Sequence, residues 1–177
     1  MKRSLLITTV LAASLILGGC SSRSIGNSID DKFIEPQVAE KIRQAHADLG
    51  SSSSHIVVTT YNSVTLLAGQ TPRAELKQLA EQAARSVPGV SKVHNEIQIL
   101  LPTSLLARSN DALLTTKIKT QMLADNTVPG SKIKVVTENG IVYLLGLITR
   151  QEANRATNLV QSVSGVQKVV KLFQYTD

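Results

Sequence analysis

Side chains able to do covalent or acid–base chemistry are few in this 177-residue chain, and they are scattered. There is one cysteine, Cys20, and there are three histidines, His46, His55 and His94. A thiolate is a nucleophile and a soft metal ligand, and an imidazole is a general base or a metal ligand. A structural or catalytic metal needs three or four such groups at short intervals, and none of these histidines has a second ligand at such a spacing. The run Ser51-Ser52-Ser53-Ser54 lines up hydroxyls, but a hydroxyl needs an adjacent base to attack anything, and serine-rich composition reads as a flexible loop. No serine, cysteine or carboxylate constellation points to catalysis, so the expectation is no catalytic residue, no metal and no cofactor, and an enzyme is the least supported class. The thiol of Cys20 is left, and its setting suggests a different chemistry.

Cys20 closes a patterned segment. Lys2-Arg3 is followed by an apolar run from Leu5 to Leu17 and then by Gly18-Gly19. A basic start, a short apolar stretch and small residues before a cut site describe a secretory signal. The run is too short to span a bilayer, which takes roughly 20 apolar residues. The ending Leu17-Gly18-Gly19-Cys20 resembles the lipobox of bacterial lipoproteins. That resemblance implies a leader over residues 1–19, a diacylglyceryl group on the Cys20 thiol and an acylated new amine, of the palmitate kind. Two or more acyl chains anchor a protein stably where one gives reversible binding. Ser21 is not the aspartate that marks inner-membrane retention in enterobacterial-type sorting, so the expectation is the outer membrane, on its periplasmic side.

Charge and composition narrow the partners. Losing Lys2 and Arg3 with the leader lowers the formal net charge from +6 to +4, and the remaining charges are spread along the chain. Aromatics are 3% with no tryptophan, which leaves no stacking platform for single-stranded nucleic acid. A cationic body tied to a bilayer is drawn instead to anionic headgroups, by about 1 kcal/mol for each lysine or arginine near the surface. One cysteine excludes an intramolecular disulfide, so packing must hold the fold. Roughly 140 folded residues suffice for one domain or two small ones.

The chain repeats itself. Val64-Thr65-Leu66-Leu67-Ala68-Gly69 corresponds to Ile141-Val142-Tyr143-Leu144-Leu145-Gly146, with Asn62 and Ser63 answering Asn139 and Gly140, and Arg73 and Glu75 answering Arg150 and Glu152. Val87-Pro88-Gly89-Val90-Ser91-Lys92-Val93 corresponds to Val163-Ser164-Gly165-Val166-Gln167-Lys168-Val169. Upstream, Val38, Lys41 and Ile42 are matched to Leu114, Lys117 and Ile118. Such a long period indicates tandem domains rather than a solenoid.

Each copy reads as α-β-β-α-β. Ile34, Val38, Ile42, Ala45 and Leu49 fall on one helical face, with Pro36 suited to a first turn. A hairpin runs from His55 to Gly69 around Tyr61-Asn62-Ser63, and its counterpart turns at Glu138-Asn139-Gly140, where Asn-Gly accepts positive φ. The second helix opens at Thr71-Pro72 in one copy and at the capping box Thr149…Glu152 in the other. Its apolar faces are Leu76, Leu79, Ala80, Ala83 and Val87, and Ala156, Leu159, Val160 and Val163. Final strands run from Val93 to Leu100 and from Val169 to Tyr175. Gly69 and Gly146 are expected where a helix packs closely. The fold class is therefore α+β, with each domain a three-stranded mixed sheet packed by two helices. Residues 20–32 read as a lipidated linker, 33–101 as the first domain and 109–177 as the second.

An α-β-β-α-β unit with Asn-Gly-Ile-Val-Tyr-Leu-Leu-Gly, a Thr-Arg-x-Glu helix start and Val-x-Gly-Val-x-x-Val resembles the BON domain. Two of them behind a lipobox resemble the dual-BON-domain outer-membrane lipoproteins of Gram-negative bacteria. Copy one departs from the pattern with Ser63 for the turn glycine and with the Ser51–Ser54 loop. The resemblance implies a non-enzymatic protein that supports outer-membrane integrity and binds anionic, phosphatidylglycerol-like phospholipid through the first helix of the second domain.

That helix is expected from Ser109-Asn110-Asp111 to Leu123, with Leu114, Ile118 and Met122 as its core stripe. Leu113 stands about 100° from Leu114, beside Lys117 and Thr120, with Lys119 near. An apolar residue off the core face and flanked by lysines is what an interfacial helix offers to headgroups. Leu113, Leu114, Lys117, Lys119 and Thr120 are the expected lipid-binding set, with Leu105 and Leu106 adding apolar surface. The rival is an adaptor that docks outer-membrane assembly or stress-response proteins through the same helix or a sheet edge. A cytolysin is disfavoured, because no long amphipathic or glycine-rich pore-forming segment is present.

Overall fold

In the computed structural model, residues 25–177 are described, and the expected leader and Cys20 lie outside them. The element order is α1 (Ile25–Ala45), a 3₁₀ turn (Ala47–Leu49), β1 (His55–Tyr61), β2 (Val64–Thr71), α2 (Ala74–Arg85), β3 (Lys92–Asn95) and β4 (Gln98–Ile99). Then follow α3 (Leu105–Ala124), a second 3₁₀ turn (Gly130–Lys132), β5 (Ile133–Glu138), β6 (Ile141–Ile148), α4 (Arg150–Gln161) and β7 (Lys168–Tyr175). Each half is α-β-β-α-β. β2 pairs antiparallel with β1 and parallel with β3, and β6 pairs antiparallel with β5 and parallel with β7. The first sheet has one more strand than expected. Its last strand breaks where Ile97 turns into the core, and pairing with β2 resumes at β4.

Both hairpins close with two residues rather than three. Asn62 and Ser63 have φ of 50° and 64°, and Asn139 and Gly140 have 52° and 73°. These left-handed pairs match the twist of the flanking strands. Ser63, without a glycine's freedom, still adopts positive φ. What holds both turns is an aspartate that sequence reasoning missed. Asp31 accepts from the N–H groups of Asn62 and Ser63 at 2.7 and 2.9 Å. Asp111 does the same for Asn139 and Gly140 at 2.8 and 2.9 Å.

These aspartates correct the helix alignment. Asp31, Ile34, Val38 and Ile42 have the roles of Asp111, Leu114, Ile118 and Met122, each 80 positions on. The expected match of Val38 and Ile42 to Leu114 and Ile118 is one helical turn out of step. An apolar stripe repeating every four residues looks alike after a shift of four, and only the turn-capping carboxylate fixes the register. Copy one takes up the difference in its serine loop, where the hydroxyls of Ser51 and Ser53 both donate to the Asp48 carbonyl.

Helix starts differ for the same reason. α1 begins at Ile25, inside the stretch expected to be linker, because Asp31 must stand within it to reach the hairpin. Pro36 therefore lies inside α1 rather than in its first turn. α3 begins at Leu105 under Ser104, whose hydroxyl accepts from Ala107 N at 3.2 Å, so Ser109-Asn110-Asp111 lies within the helix and does not cap its start. α2 starts at Ala74, past Pro72. Ala45 is exposed, and Leu49 is buried from the 3₁₀ turn rather than from the helix. The capping box at Thr149 and Glu152 forms as expected, and its hydrogen bonds hold the Glu152 carboxyl below its ordinary range.

Each domain packs its own core between helices and one sheet face, around Val38, Ile42, Leu67 and Leu76 in the first and Ile118, Met122, Leu144 and Val160 in the second. The opposite sheet faces meet. Tyr61, Leu66 and Ala68 pack on Tyr143, Leu145 and Leu172. With both faces covered, β2 is buried along its whole length, and a strand buried on both sides reads as a continuous apolar run. The seam has the reciprocity of an isologous interface. Asn62 Nδ2 donates to Gln174 Oε1 at 2.7 Å, and the equivalent Asn139 Nδ2 donates to Gln98 Oε1 at 3.1 Å. Tyr61 Oη donates to the Lys132 carbonyl at 3.0 Å, and Lys134 Nζ sits 2.6 Å from Glu35 Oε1. Gln70, fully buried, donates to Glu138 Oε1 at 2.9 Å. Both cores and this seam lie within residues 31–177, so a chain starting at residue 21 carries every described element.

Gly69 has φ of 118°, and a Cβ there would overlap the His55 carbonyl oxygen. The close approach expected at this glycine is real, but the neighbour is the paired strand β1 and not a helix.

Candidate functional site

α3 is 20 residues long, about 30 Å at 1.5 Å per residue. Its inner side is fixed by the fold. Asp111 holds the hairpin, Ile118 and Met122 are buried, and Leu114 lies half-buried against the core. The outer side carries four leucines that touch little protein. Leu105, Leu106, Leu113 and Leu123 are 79%, 72%, 70% and 68% exposed. At 3.6 residues per turn they fall within about 100° of one another, with Ser109, Thr116 and Thr120 between them. Both threonine hydroxyls turn back to the helix, Thr116 Oγ1 to Ala112 O and Thr120 Oγ1 to Thr116 O, each at 3.0 Å. Their donors are satisfied within the helix, so the outward face presents mainly hydrocarbon.

Lys117 and Lys119 flank this face on opposite sides. Lys117 borders a groove of about 470 Å³ between α3, the Asn139-Gly140 turn and the Ser164–Gln167 loop. Leu113 and Leu114 line the same groove, as does Asp111, whose carboxylate oxygens are taken by the turn. Lys119 borders a smaller groove, about 300 Å³, at the domain seam beside Lys32, Glu35 and Lys134. Of the expected lipid-binding residues, the structure puts Leu113, Lys117, Lys119 and Thr120 at the surface and places Leu114 partly in the core. Leu123, which sequence reasoning used only as a helix end, joins the outward face. It stands 18 residues after Leu105, five whole turns of an α-helix.

The histidines have local roles. His46 Nδ1 accepts from Asp48 N at 3.0 Å and caps the 3₁₀ turn. His55 Nε2 lies 3.5 Å from Glu138 Oε2 across the seam. His94 is half-buried, and burial, followed by the charge of Lys92, holds its imidazole below its ordinary range. Among the described residues no group of three or more histidines, cysteines and carboxylates is placed to hold a metal ion. Among the same residues no helix is long and apolar enough to cross a membrane.

Two α-β-β-α-β units joined back to back, with one first helix apolar on its outer side, define a class of double module. Residues 34–100 and 110–177 each match the family model described as BON domain, and the chain belongs to that family. It is 34% identical over 190 aligned positions to the outer membrane lipoprotein DolP of Haemophilus influenzae, a match covering 97% of this chain and 96% of that protein. It is 35% identical to a 21 kDa hemolysin of Actinobacillus pleuropneumoniae, over 86% of this chain and 78% of that one. It is 30% identical to the osmotically-inducible protein Y of Escherichia coli, over 84% of this chain and 74% of that protein.

Proposed function

We propose that this protein is an outer-membrane lipoprotein, anchored through an acylated Cys20 and facing the periplasm, that binds anionic phospholipid through α3 and maintains the membrane without doing chemistry. The likeness to an outer membrane lipoprotein along almost the whole chain supports the location. The observation that carries the binding reading is the outward leucine face of α3 between two lysines. Fully burying one leucine side chain is worth roughly 1.5–3 kcal/mol. Four such side chains, each sunk partway among headgroups, give a weak but real attraction, and lysines near the surface add about 1 kcal/mol each. With the acyl anchor holding the body at the bilayer, weak attraction is sufficient, because tethering raises the effective concentration of the second contact.

Residues 21–177 should therefore bind vesicles containing phosphatidylglycerol and should bind pure phosphatidylcholine vesicles poorly, with affinity falling as salt screens the lysines. Leu113→Glu should reduce binding at least tenfold while leaving the circular dichroism spectrum and melting temperature unchanged, since its side chain touches little protein. Equal binding by parent and variant, or none by either, would sink the reading and leave a protein-docking helix as the one to pursue.

A further inference from the structure

The apolar surface does not stop at the start of α3. Ile99, Leu100 and Leu101, on the connection between the domains, are 51%, 50% and 77% exposed. With Leu105 and Leu106 they make five exposed large aliphatic side chains within eight residues. This stretch is not a loose tether. Ile99 pairs with Thr71, Leu100 N donates to the Thr71 carbonyl at 3.0 Å, and Thr103 N donates to the buried Gln70 Oε1 at 3.2 Å. The backbone of the connection is thus fastened to the first domain while its apolar side chains are left outside.

We propose that the connection Ile99–Leu106 is a second membrane-contacting element, which dips its side chains into the same bilayer that α3 lies on. The proposal rests on the α3 reading. Leu105 and Leu106 belong to both surfaces, so the exposed aliphatic run continues along the chain from the connection into the leucine side of α3. The chemistry of the stretch also fits lipid. No residue between Glu96 and Arg108 is charged, and charge is what the acyl boundary excludes most strongly. Protein-binding hot spots favour Trp, Tyr and Arg, whereas this ridge is purely aliphatic and has no aromatic residue. Irregular backbone is not tolerated in the hydrocarbon core, so the peptide groups stay at headgroup level and only the side chains reach the acyl region.

The chain has no tryptophan, so one introduced residue reports its own surroundings. Leu101→Trp and Leu113→Trp are made separately in residues 21–177 and mixed with phosphatidylglycerol–phosphatidylcholine vesicles whose acyl chains are brominated. The expected result is a blue shift and bromine quenching at both positions. The double substitution Leu100→Ser with Leu101→Ser should weaken vesicle binding by about tenfold. Quenching at position 113 with position 101 still open to aqueous iodide would overturn this proposal and leave the α3 reading standing. Shielding of position 101 from iodide before any lipid is added would also overturn it, by showing that protein covers the ridge. Absence of vesicle binding by the parent would overturn both.

Discussion

α1 and α3 are the same helix built twice, and they differ almost entirely on the side that the fold does not use. Inward, Asp31, Ile34, Val38 and Ile42 are matched by Asp111, Leu114, Ile118 and Met122, aspartate for aspartate and aliphatic or methionine for aliphatic. Outward, Gln37 stands opposite Lys117, Ala39 opposite Lys119, Glu40 opposite Thr120 and Arg43 opposite Leu123. α1 covers its outer side with an ionic network, in which Glu40 accepts from Arg43 at 2.6 Å and from Gln44 at 2.7 Å. Arg43 and Gln44 hold the Glu40 carboxyl below its ordinary range. A carboxylate so placed would have to leave water if α1 met a bilayer, and an ionised group is costly to desolvate. α3 has no acidic residue on its outer side. Once the packing and turn-capping positions are filled, the remaining positions of a duplicated helix are free to diverge. In this molecule one copy keeps a water-facing surface and the other a lipid-compatible one.

The largest difference expected between the two copies lies in the hairpins. Gly69 and Gly146 are equivalent, but only Gly69 holds positive φ, and an added Cβ there would overlap backbone. Gly69→Ala should destabilise by about 4 kcal/mol, among the larger single-residue effects. At Gly146 a Cβ would lie 2.9 Å from the Lys132 carbonyl oxygen with no positive φ to maintain, and Gly146→Ala should cost about 1–2 kcal/mol. Urea unfolding of the two variants measures the contrast, and equal losses would mean that the strands relax at both places.

Next come the turn-capping aspartates. Asp111→Ala strips the hydrogen-bond acceptor from two backbone N–H groups, one of them on the buried Gly140. A buried donor left unsatisfied costs about 1–3 kcal/mol, so a loss of about 2 kcal/mol is expected. Asp31→Ala should cost a similar amount, since the bonding is the same in kind. A loss below 0.5 kcal/mol in either copy, well short of that cost, would show that its turn stands on dihedral preference alone.

These two positions also show what was legible in the sequence. Element types, their order and the duplication could be read, because strand alternation, the Asn-Gly turn and the Thr149…Glu152 box are local signals. The register of the first helices could not. A stripe such as Ile34, Val38, Ile42 overlays its partner equally well one turn away, and the residue that decides, Asp31, acts on a turn 31 positions later. Helix starts were missed for the same reason. The outward position of Leu113 was legible from its angle to Leu114. The exposed ridge at Ile99–Leu101 was not, since an apolar run at the end of a strand reads as core. Pairing across the seam was also out of reach, because Asn62 and Gln174 are 112 positions apart and belong to different domains.

The seam provides a test that involves both domains together. Burial, with the carboxylates of Glu96 and Glu138 nearby, pushes the Tyr143 phenol up to about 12. A phenol whose folded value is raised favours the folded state while protonated. Its contribution is intact below the ordinary value near 10 and is lost as pH rises from there toward 12. Two pH units correspond to at most about 2.7 kcal/mol. Stability measured from pH 9 to 12 should fall less steeply in Tyr143→Phe than in the parent, the difference growing across that window. Parallel curves would mean that the phenolate finds water at the seam.

The smallest expected effect bears most directly on the comparison of the two helices. Phe33 occupies the position in α1 that Leu113 occupies in α3, and at 64% exposed it is nearly as open. If exposure of one apolar side chain at this position were enough for lipid contact, the two helices would be equivalent and Phe33→Glu would weaken vesicle binding as Leu113→Glu does. The present reading requires more than one residue: a continuous uncharged face, threonine donors satisfied within the helix, and cations at its borders. Phe33 has Gln37 one turn and Glu40 two turns along its own helix, so its face runs into polar and charged side chains where that of α3 stays uncharged. Phe33→Glu should therefore change binding to phosphatidylglycerol vesicles by less than about twofold. A loss matching that of Leu113→Glu would place both helices on the membrane and remove the functional distinction between the domains.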